Sequence, residues 1–420
     1  MNSSIDGEVR EERHLIVNML IHNWEASQNR HIDCCIYRVP TRIRKVNEET
    51  YTPQAISIGP FHHQKTELGI MENLKEGYVD HFFSRTTLEK REKVLAFIQE
   101  HELKIRDCYS EPCTLNNDDY VTMILRDAIF IIEVFLSNYE QDDEQDSVPE
   151  IKPTEKLALM LDFILLENQL PYFLLEGLYK IVVSRPPFIN LCCDFFRRPN
   201  EMFDSVPDQS EIKHFTDLLR VALVKSYPQQ KSKKQSHEVN SDVDLPSAAK
   251  LHESGVKFSA SQMECLFDIK FEEGELRIPQ LSVDNATETI LRNIMALEQC
   301  YYPYTTLVCD YVELLDSLID EKSDLDLLVK EGIISNRMGN STSIVRMVNN
   351  LCTQITINRV HYEDISKRLK KHYNEPCNHT CAKLKSVYFS DLWTGTATIA
   401  AAVLLILTFM QTVASFLQLK

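Results

Sequence analysis

The stretch MLDFILLENQLPYFLLEGL, residues 160–178, sets Glu167, Asn168 and Gln169 between two apolar runs and follows them with Pro171. Such a triplet is either a catalytic acid with amides in an apolar cleft or a buried corner between two helices. From Glu155 to Leu166 apolar residues occupy nearly every direction of a helix, and Glu155, Asp162 and Gln169 form a narrow polar stripe at seven-residue spacing. The helix is therefore largely buried. Asn168 falls in line with Leu161, Ile164 and Leu165, so its amide faces the core. Pro171 disfavours helical backbone at Leu170 and cannot donate, so the first helix is expected to end near Asn168 and Pro171 to open the next. The three polar side chains can then bond the backbone groups that both helix ends leave unpaired. One carboxylate with two amides supplies no nucleophile and no second titrating partner, which favours the corner over catalysis.

Helical periodicity extends outward from this corner. TLEKREKVLAFIQEHELKI, DYVTMILRDAIFIIEVFL, EKLALMLDFILLEN and ETILRNIMALEQC place apolar residues three and four apart. In KSDLDLLVKEG, Ser323 and Asp326 have capping-box spacing and Gly332 can close the same short helix. CLFDIKFEEGELRIPQLSV is different: Phe267, Ile269 and Phe271 alternate with charged residues, and Glu273-Gly274 supplies a turn before Leu276 and Ile278. That pattern predicts a β-hairpin, with Pro279 marking its second strand as an edge. A second extended piece is expected at QAISIGPF, 54–61, stopped by Gly59-Pro60. With 420 residues, 44% hydrophobic and 25% charged, the chain can bury a large core. The expected class is mainly α: a multi-helix globular domain with a small β-hairpin and a C-terminal transmembrane helix. Its organisation reads as a polar extension over 1–30, a helical body over 31–390 with mobile segments near 137–153 and 226–247, and an anchor over 392–419.

That anchor is the strongest single signal. Leu392 to Leu419 contains no charged residue in 28 positions, and a helix of about 20 residues crosses a bilayer core. A buried helix of a soluble protein seldom lacks charge for so long. Trp393 stands where an interfacial anchor belongs, and Gln411 is the main polar cost. The N-terminal MNSSIDGEVREERHLIVNML lacks the basic region and long apolar run of a signal peptide, so the bulk is expected in the cytosol. Lys383 and Lys385, backed by Lys367, Arg368, Lys370 and Lys371, precede the span, whereas Lys420 follows it; the asymmetry agrees with a cytosolic N-terminal side. A single-pass, tail-anchored protein is expected, with plasma membrane and endomembrane equally open. Four glycosylation sequons, at Asn2, Asn285, Asn340 and Asn378, report the opposite orientation if they are used. Thr394, Gly395, Thr396, Ala397, Thr398, Ala400, Ala401 and Ala402 make the first half of the span small, which suits a homodimer or a monomeric anchor equally.

Several chemistries are excluded or disfavoured. The net charge of −17 and pI near 5.3 argue against nucleic acid as a partner. Only 10 glycines occur, and the nearest two, Gly332 and Gly339, are seven apart, so no P-loop or dinucleotide fingerprint is present. The adjacent pairs Cys34-Cys35 and Cys192-Cys193 suit reduced thiols better than a disulfide framework. His372, Cys377, His379 and Cys381 cluster in HYNEPCNHTC, but no second ligand pair with finger-like spacing stands nearby, so no metal or cofactor is assigned. The remaining enzymatic candidate is IGPFHH, where His62 and His63 follow a tight turn; paired histidines are more often loop residues with satisfied ring nitrogens.

IYRVPTRIRKVNEETYTPQAISIGPFHH, LLENQLPYFLLEGLY, GVKFS, LRIPQLSV, TETILRNIMALEQC and DLWTGTATIAAAVLLILTFMQT together resemble the plant family called domain of unknown function 247, in the family's order from about Cys34 onward. The resemblance implies a largely helical domain followed by a C-terminal membrane segment, with no established catalytic activity. Some members are implicated in pollen and stigma self-incompatibility, which implies recognition rather than turnover. No catalytic residue is carried over. The expected function is a membrane-tethered cytosolic interaction or recognition protein, with the lipid bilayer and an undefined protein as partners. The alternative is an enzyme of unrecognised type built on His62, His63 and Glu167.

Overall fold

In the computed structural model the apolar periodicity becomes helix, and the described residues are 34–63, 68–139, 151–183, 185–197, 212–225, 227, 245–261, 265–357, 361–388 and 392–418. The extension over 1–30 and most of the polar segments 137–153 and 226–247 lie outside them. The described residues fall into two compact units. One comprises those within Met1–Ser226, Ala286–Cys309 and Thr353–Thr356; the other those within Tyr227–Asn285, Asp310–Cys352 and Ile357–Lys420.

At the centre of the first unit is the helix Asn117–Tyr139, buried on nearly all sides. The helices Gly69–Arg85, Leu88–Asp107, Tyr172–Val182 and Phe188–Phe195 pack around it. The aromatic rings explain the choice of centre: Phe135 stacks on Phe195 at 4.4 Å and meets Phe163, Phe188, Phe196 and Phe215 within 6.1 Å. Rings of this size bury the most apolar surface per residue and favour offset or edge contacts.

The helix before the corner is shorter than its periodicity suggests. It spans Pro153–Phe163 and stops five residues before Asn168. The reason is competition: the Asn168 and Gln169 side chains donate to the carbonyls of Asp162, Phe163 and Leu165, which satisfies the helix end without further turns. Pro171 is the N-cap of the next helix, Tyr172–Val182, so it does open that element.

The second unit holds the strands β1 (Lys257–Ser261), β2 (Lys270–Glu272), β3 (Glu275–Pro279), β4 (Leu281–Val283) and β5 (Ile334–Asn336). β2 and β3 form the expected hairpin, with Glu272 opposite Glu275. Glu273 and Gly274 both have positive φ, 50° and 78°, the backbone of a two-residue turn whose twist matches the strands. The edge expectation for Pro279 is corrected. β3 is the central strand of the order β1-β3-β2, and β1 pairs with it in parallel. Pro279 is tolerated because it is the last residue of β3, beyond the β2 ladder, which ends at Arg277. The piece 54–61 belongs to no strand; side chains take the place of a ladder there, as the candidate site shows.

The short helix Lys322–Lys330 is capped at Glu321, two residues before the expected cap Ser323. Asp324, rather than Asp326, reaches back to the backbone N–H groups of Asp320 and Glu321, at 3.2 and 2.8 Å. Gly332 closes it as expected: its φ of 74° lets Gly332 N–H donate to Val329 and Ile333 N–H to Leu328. The chain continues to the helix Leu392–Gln418, whose stretch Thr396–Ser415 is 20 residues long with mean hydropathy 2.0 and no buried part. It is long and apolar enough to cross a membrane. All twelve cysteines are free thiols.

The nearest atom to a Cβ placed on Gly332 would be the Ala260 methyl at 3.7 Å, so a substitution there meets strain in the backbone and no clash. Gly332→Ala is expected to lower stability by about 1 kcal/mol, seen as a lower urea midpoint with an unchanged slope.

Candidate functional site

The corner at 162–169 receives the segment from Arg38 to His62 and bonds its backbone at Val39 and along 54–58. Asp162 accepts from the N–H groups of Gln54, Ala55 and Ile56 at 3.0, 2.7 and 2.8 Å. Asn168 accepts from Ile58 N–H at 2.7 Å and donates to Ile56 O and Asp162 O at 3.1 and 3.0 Å. Asp127, from the central helix, takes the N–H of Gly59 at 2.8 Å. Gly59 is required twice over: its φ is +69°, and a Cβ would lie 2.7 Å from Gln169 O. Gln169 donates to Phe163 O and Leu165 O and accepts from Phe215 N–H at 2.9 Å, so all of its amide is committed.

Glu167, whose side chain is 1% exposed, is the centre of charge. One carboxylate oxygen meets the Val39 N–H at 2.9 Å and the Arg44 guanidinium at 3.0 Å; the other meets Arg38 at 3.2 Å and His62 Nε2 at 3.1 Å. Burial pushes this carboxyl up, but His62, Arg44 and the Val39 N–H together outweigh it and hold it below the ordinary glutamate value. Arg38 is shared outward: its Nε donates to Glu111 at 2.9 Å, Nη2 donates to Phe61 O at 3.1 Å, and its guanidinium lies 4.5 Å over the Phe61 ring.

Asp162 is the opposite case. Burial raises its carboxyl to about 6, against the pull of the Gln54, Ile56 and Ala55 N–H groups. The stripe of Glu155, Asp162 and Gln169 thus delivers two of its three members to the interior as backbone acceptors and donors.

Further buried charges belong to the same unit, and the sequence reading missed them. Lys75, 2% exposed, donates to Asp127, Glu72 and Ser57 O at 2.7, 2.7 and 2.5 Å. Glu133 pairs with His81 at 3.0 Å and with Arg85. Glu298 accepts from Arg220 at 3.0 Å and from the N–H groups of Val308 and Cys309 at 3.2 and 2.9 Å. The available signal was Asp127 and Glu133 standing inside the apolar run of RDAIFIIEVFL, where an ionised group needs a buried partner. His214 is held neutral: burial lowers its pKa, and its ring spans Cys35 O at 3.0 Å and Asp217 N at 3.4 Å.

Of the enzymatic candidates, the structure therefore brings His62 and Glu167 together, while His63 is half-buried at the next position along the loop. In HYNEPCNHTC, His379 Nε2 lies 2.7 Å from Tyr373 O, and Cys377 and Cys381 are exposed. Among the described residues no group of three or more His, Cys, Asp or Glu side chains is placed to hold a metal. What the corner can do chemically is limited by its commitments: the ionised Glu167 is encircled by cationic groups and a backbone N–H, the arrangement of a structural anchor.

Residues 36–407 match the profile of domain of unknown function 247, described as a plant protein of unknown function. The chain belongs to this plant family. The UPF0481 protein At3g47200 of Arabidopsis thaliana is 25% identical over 417 residues, covering 91% of this chain and 86% of the relative. A second UPF0481 protein of that plant, At3g02645, is 21% identical over 474 residues, covering 90% and 89%. No solved structure matches the chain. The DUF247 match includes the whole corner and all its partners, together with most of the apolar helix.

Glu167→Gln removes the anion while leaving Arg44 and His62 in place, so a loss of about 3–5 kcal/mol is expected in chemical unfolding. The pH dependence has a defined sign. A depressed folded-state pKa means that the contribution of Glu167 is present above the ordinary glutamate value and lost as pH falls through the lower folded value. The stability gap between wild type and Glu167→Gln is thus expected to be flat from neutral pH down to about 4.5 and to narrow below it.

Proposed function

We propose that the chain is a tail-anchored recognition protein: a cytosolic helical body, tethered by Leu392–Gln418, that engages a protein partner at a membrane surface without catalysing a reaction. The observation that carries this reading is the apolar stretch Thr396–Ser415, none of which is buried. An exposed surface of that size and composition is not tolerated in water. The basic residues before it, among them Lys370, Lys371 and Lys383, support a cytosolic N-terminal side. Tethering confines the body to one surface and raises its effective concentration for a partner there. The dense pairing at the corner supports the non-catalytic half of the reading, since Glu167 is spent on holding the Arg38–His62 segment.

The test is fractionation of the full chain expressed in plant cells, beside a version ending at Tyr388. The full chain is expected in the membrane pellet after a high-salt wash, and the shortened one in the supernatant. Full-length chain in the supernatant without detergent ends the proposal. Endoglycosidase-sensitive mass at Asn285, Asn340 or Asn378 reverses the orientation.

A second reading is favoured by one observation, the 3.1 Å approach of His62 Nε2 to Glu167. It makes that pair a general base, with His63 beside it. A working base must be reachable by substrate, so histidine-directed acylation of the folded protein separates the two. His62, 2% exposed, is expected to stay unmodified until the protein unfolds, while half-buried His63 reacts earlier. Rapid native-state modification of His62 with a matching loss of an activity would favour the enzyme.

A further inference from the structure

Of the twelve free cysteines, ten are buried or half-buried, and Cys377 and Cys381 are exposed. Both lie on the helix Pro376–Tyr388, four residues apart and therefore on one face. Leu384, 46% exposed, continues that face three residues further on. The adjoining face is the packed one. The Ala382 methyl lies 3.4 Å from where a Cβ on Gly255 would stand, and the Asn378 carbonyl 3.8 Å from it. The Asn378 side chain donates to His372 O at 2.9 Å, and His379 Nε2 lies 2.7 Å from Tyr373 O. These contacts fix which way the helix is turned, and the turn leaves Cys377, Cys381 and Leu384 as an uncovered stripe of thiols and apolar surface. Cys381 precedes Leu392, the first residue of the apolar helix, by eleven positions.

We propose that Cys377 and Cys381 are S-acylation sites that take long-chain fatty acyl groups. The proposal rests on the membrane reading above, because it needs the helix held at the cytosolic face of a bilayer, where thiols on the apolar stripe of a juxtamembrane helix are placed for acyl transfer. The cysteine sulfur attacks the carbonyl carbon of a fatty acyl thioester. A new carbon–sulfur bond forms, the bond from that carbon to the donor sulfur breaks, and the donor leaves as a thiol carrying the proton given up by the cysteine. Nothing is oxidised or reduced. The attached chains insert beside the apolar helix, so that Leu384 and the two modified positions meet lipid together and the body is held flat against the surface rather than swinging on one tether.

The experiment uses the full chain from plant membranes. Disulfides are reduced, free thiols are blocked, thioesters are cleaved with neutral hydroxylamine, and the released thiols are tagged with a maleimide polymer. Two hydroxylamine-dependent tags are expected on the wild type, one on Cys377→Ser or Cys381→Ser, none on the double variant, and two on Cys352→Ser. Because both side chains are exposed, the double variant is expected to melt at the wild-type temperature, which separates lost acylation from lost folding. Tags that persist on the double variant overturn the assignment. So does wild-type chain that sits in the membrane pellet with no tag, a result that leaves the membrane reading standing. Wild-type chain in the supernatant removes the membrane reading and the acylation with it. A glycan at Asn378 puts this helix on the far side of the membrane and overturns both.

Discussion

A carboxylate sealed from water must have its charge answered in place, and the first unit is arranged around one such demand. Glu167 is met by Arg38, Arg44, His62 and the Val39 N–H, all from the segment preceding the first long helix. Together with Asp162, Asn168 and Asp127, it converts a segment with no ladder partner into a fixed part of the core. An unpaired buried N–H costs about 1–3 kcal/mol, and the N–H groups of Gln54, Ala55, Ile56, Ile58 and Gly59 all find side-chain acceptors. The corner is thus the place where irregular backbone becomes affordable inside the protein.

The same logic recurs at other buried charges of the first unit. Lys75 with Asp127, Glu133 with His81 and Arg85, and Glu298 with Arg220 bind elements distant in sequence. Apolar burial, such as the packing around Phe135, is the dominant favourable contribution to folding, but it is non-directional. Directed pairs select one arrangement among the many that would bury the same rings. The two kinds of interaction therefore divide the work between stability and specificity, and Asp162 shows the tension between them: its burial pushes the carboxyl up to about 6 even as three N–H groups draw it down.

Parts of the fold were legible from residue order because they depend on neighbours. The hairpin turn at Glu273-Gly274 needs only two residues that accept positive φ, and Gly332 ends its helix for the same reason. The helices at Leu88–Asp107 and Thr287–Tyr301 follow from periodicity. Where the structure departs from the pattern, a distant group is the cause. The helix expected to reach Asn168 ends at Phe163 because its carbonyls are claimed by the Asn168 and Gln169 side chains. Pro279 ends a central strand rather than an edge because β1 pairs with β3, each residue meeting a partner eighteen positions later.

The sequence by itself determined that the chain is mainly helical, that the ENQ triplet is a corner, and that a 28-residue uncharged stretch near Lys420 can span a bilayer. Each of these follows from local spacing or from composition, which the chain carries with it before it folds. Only the tertiary structure decided that Glu167 meets His62 and two arginines, that Asp127 holds both Lys75 and Gly59, and that Cys377 and Cys381 stand uncovered on one helical face. Those relations join residues by up to about 130 positions of intervening chain. They are set by which surfaces pack together, and packing is a property of the assembled core.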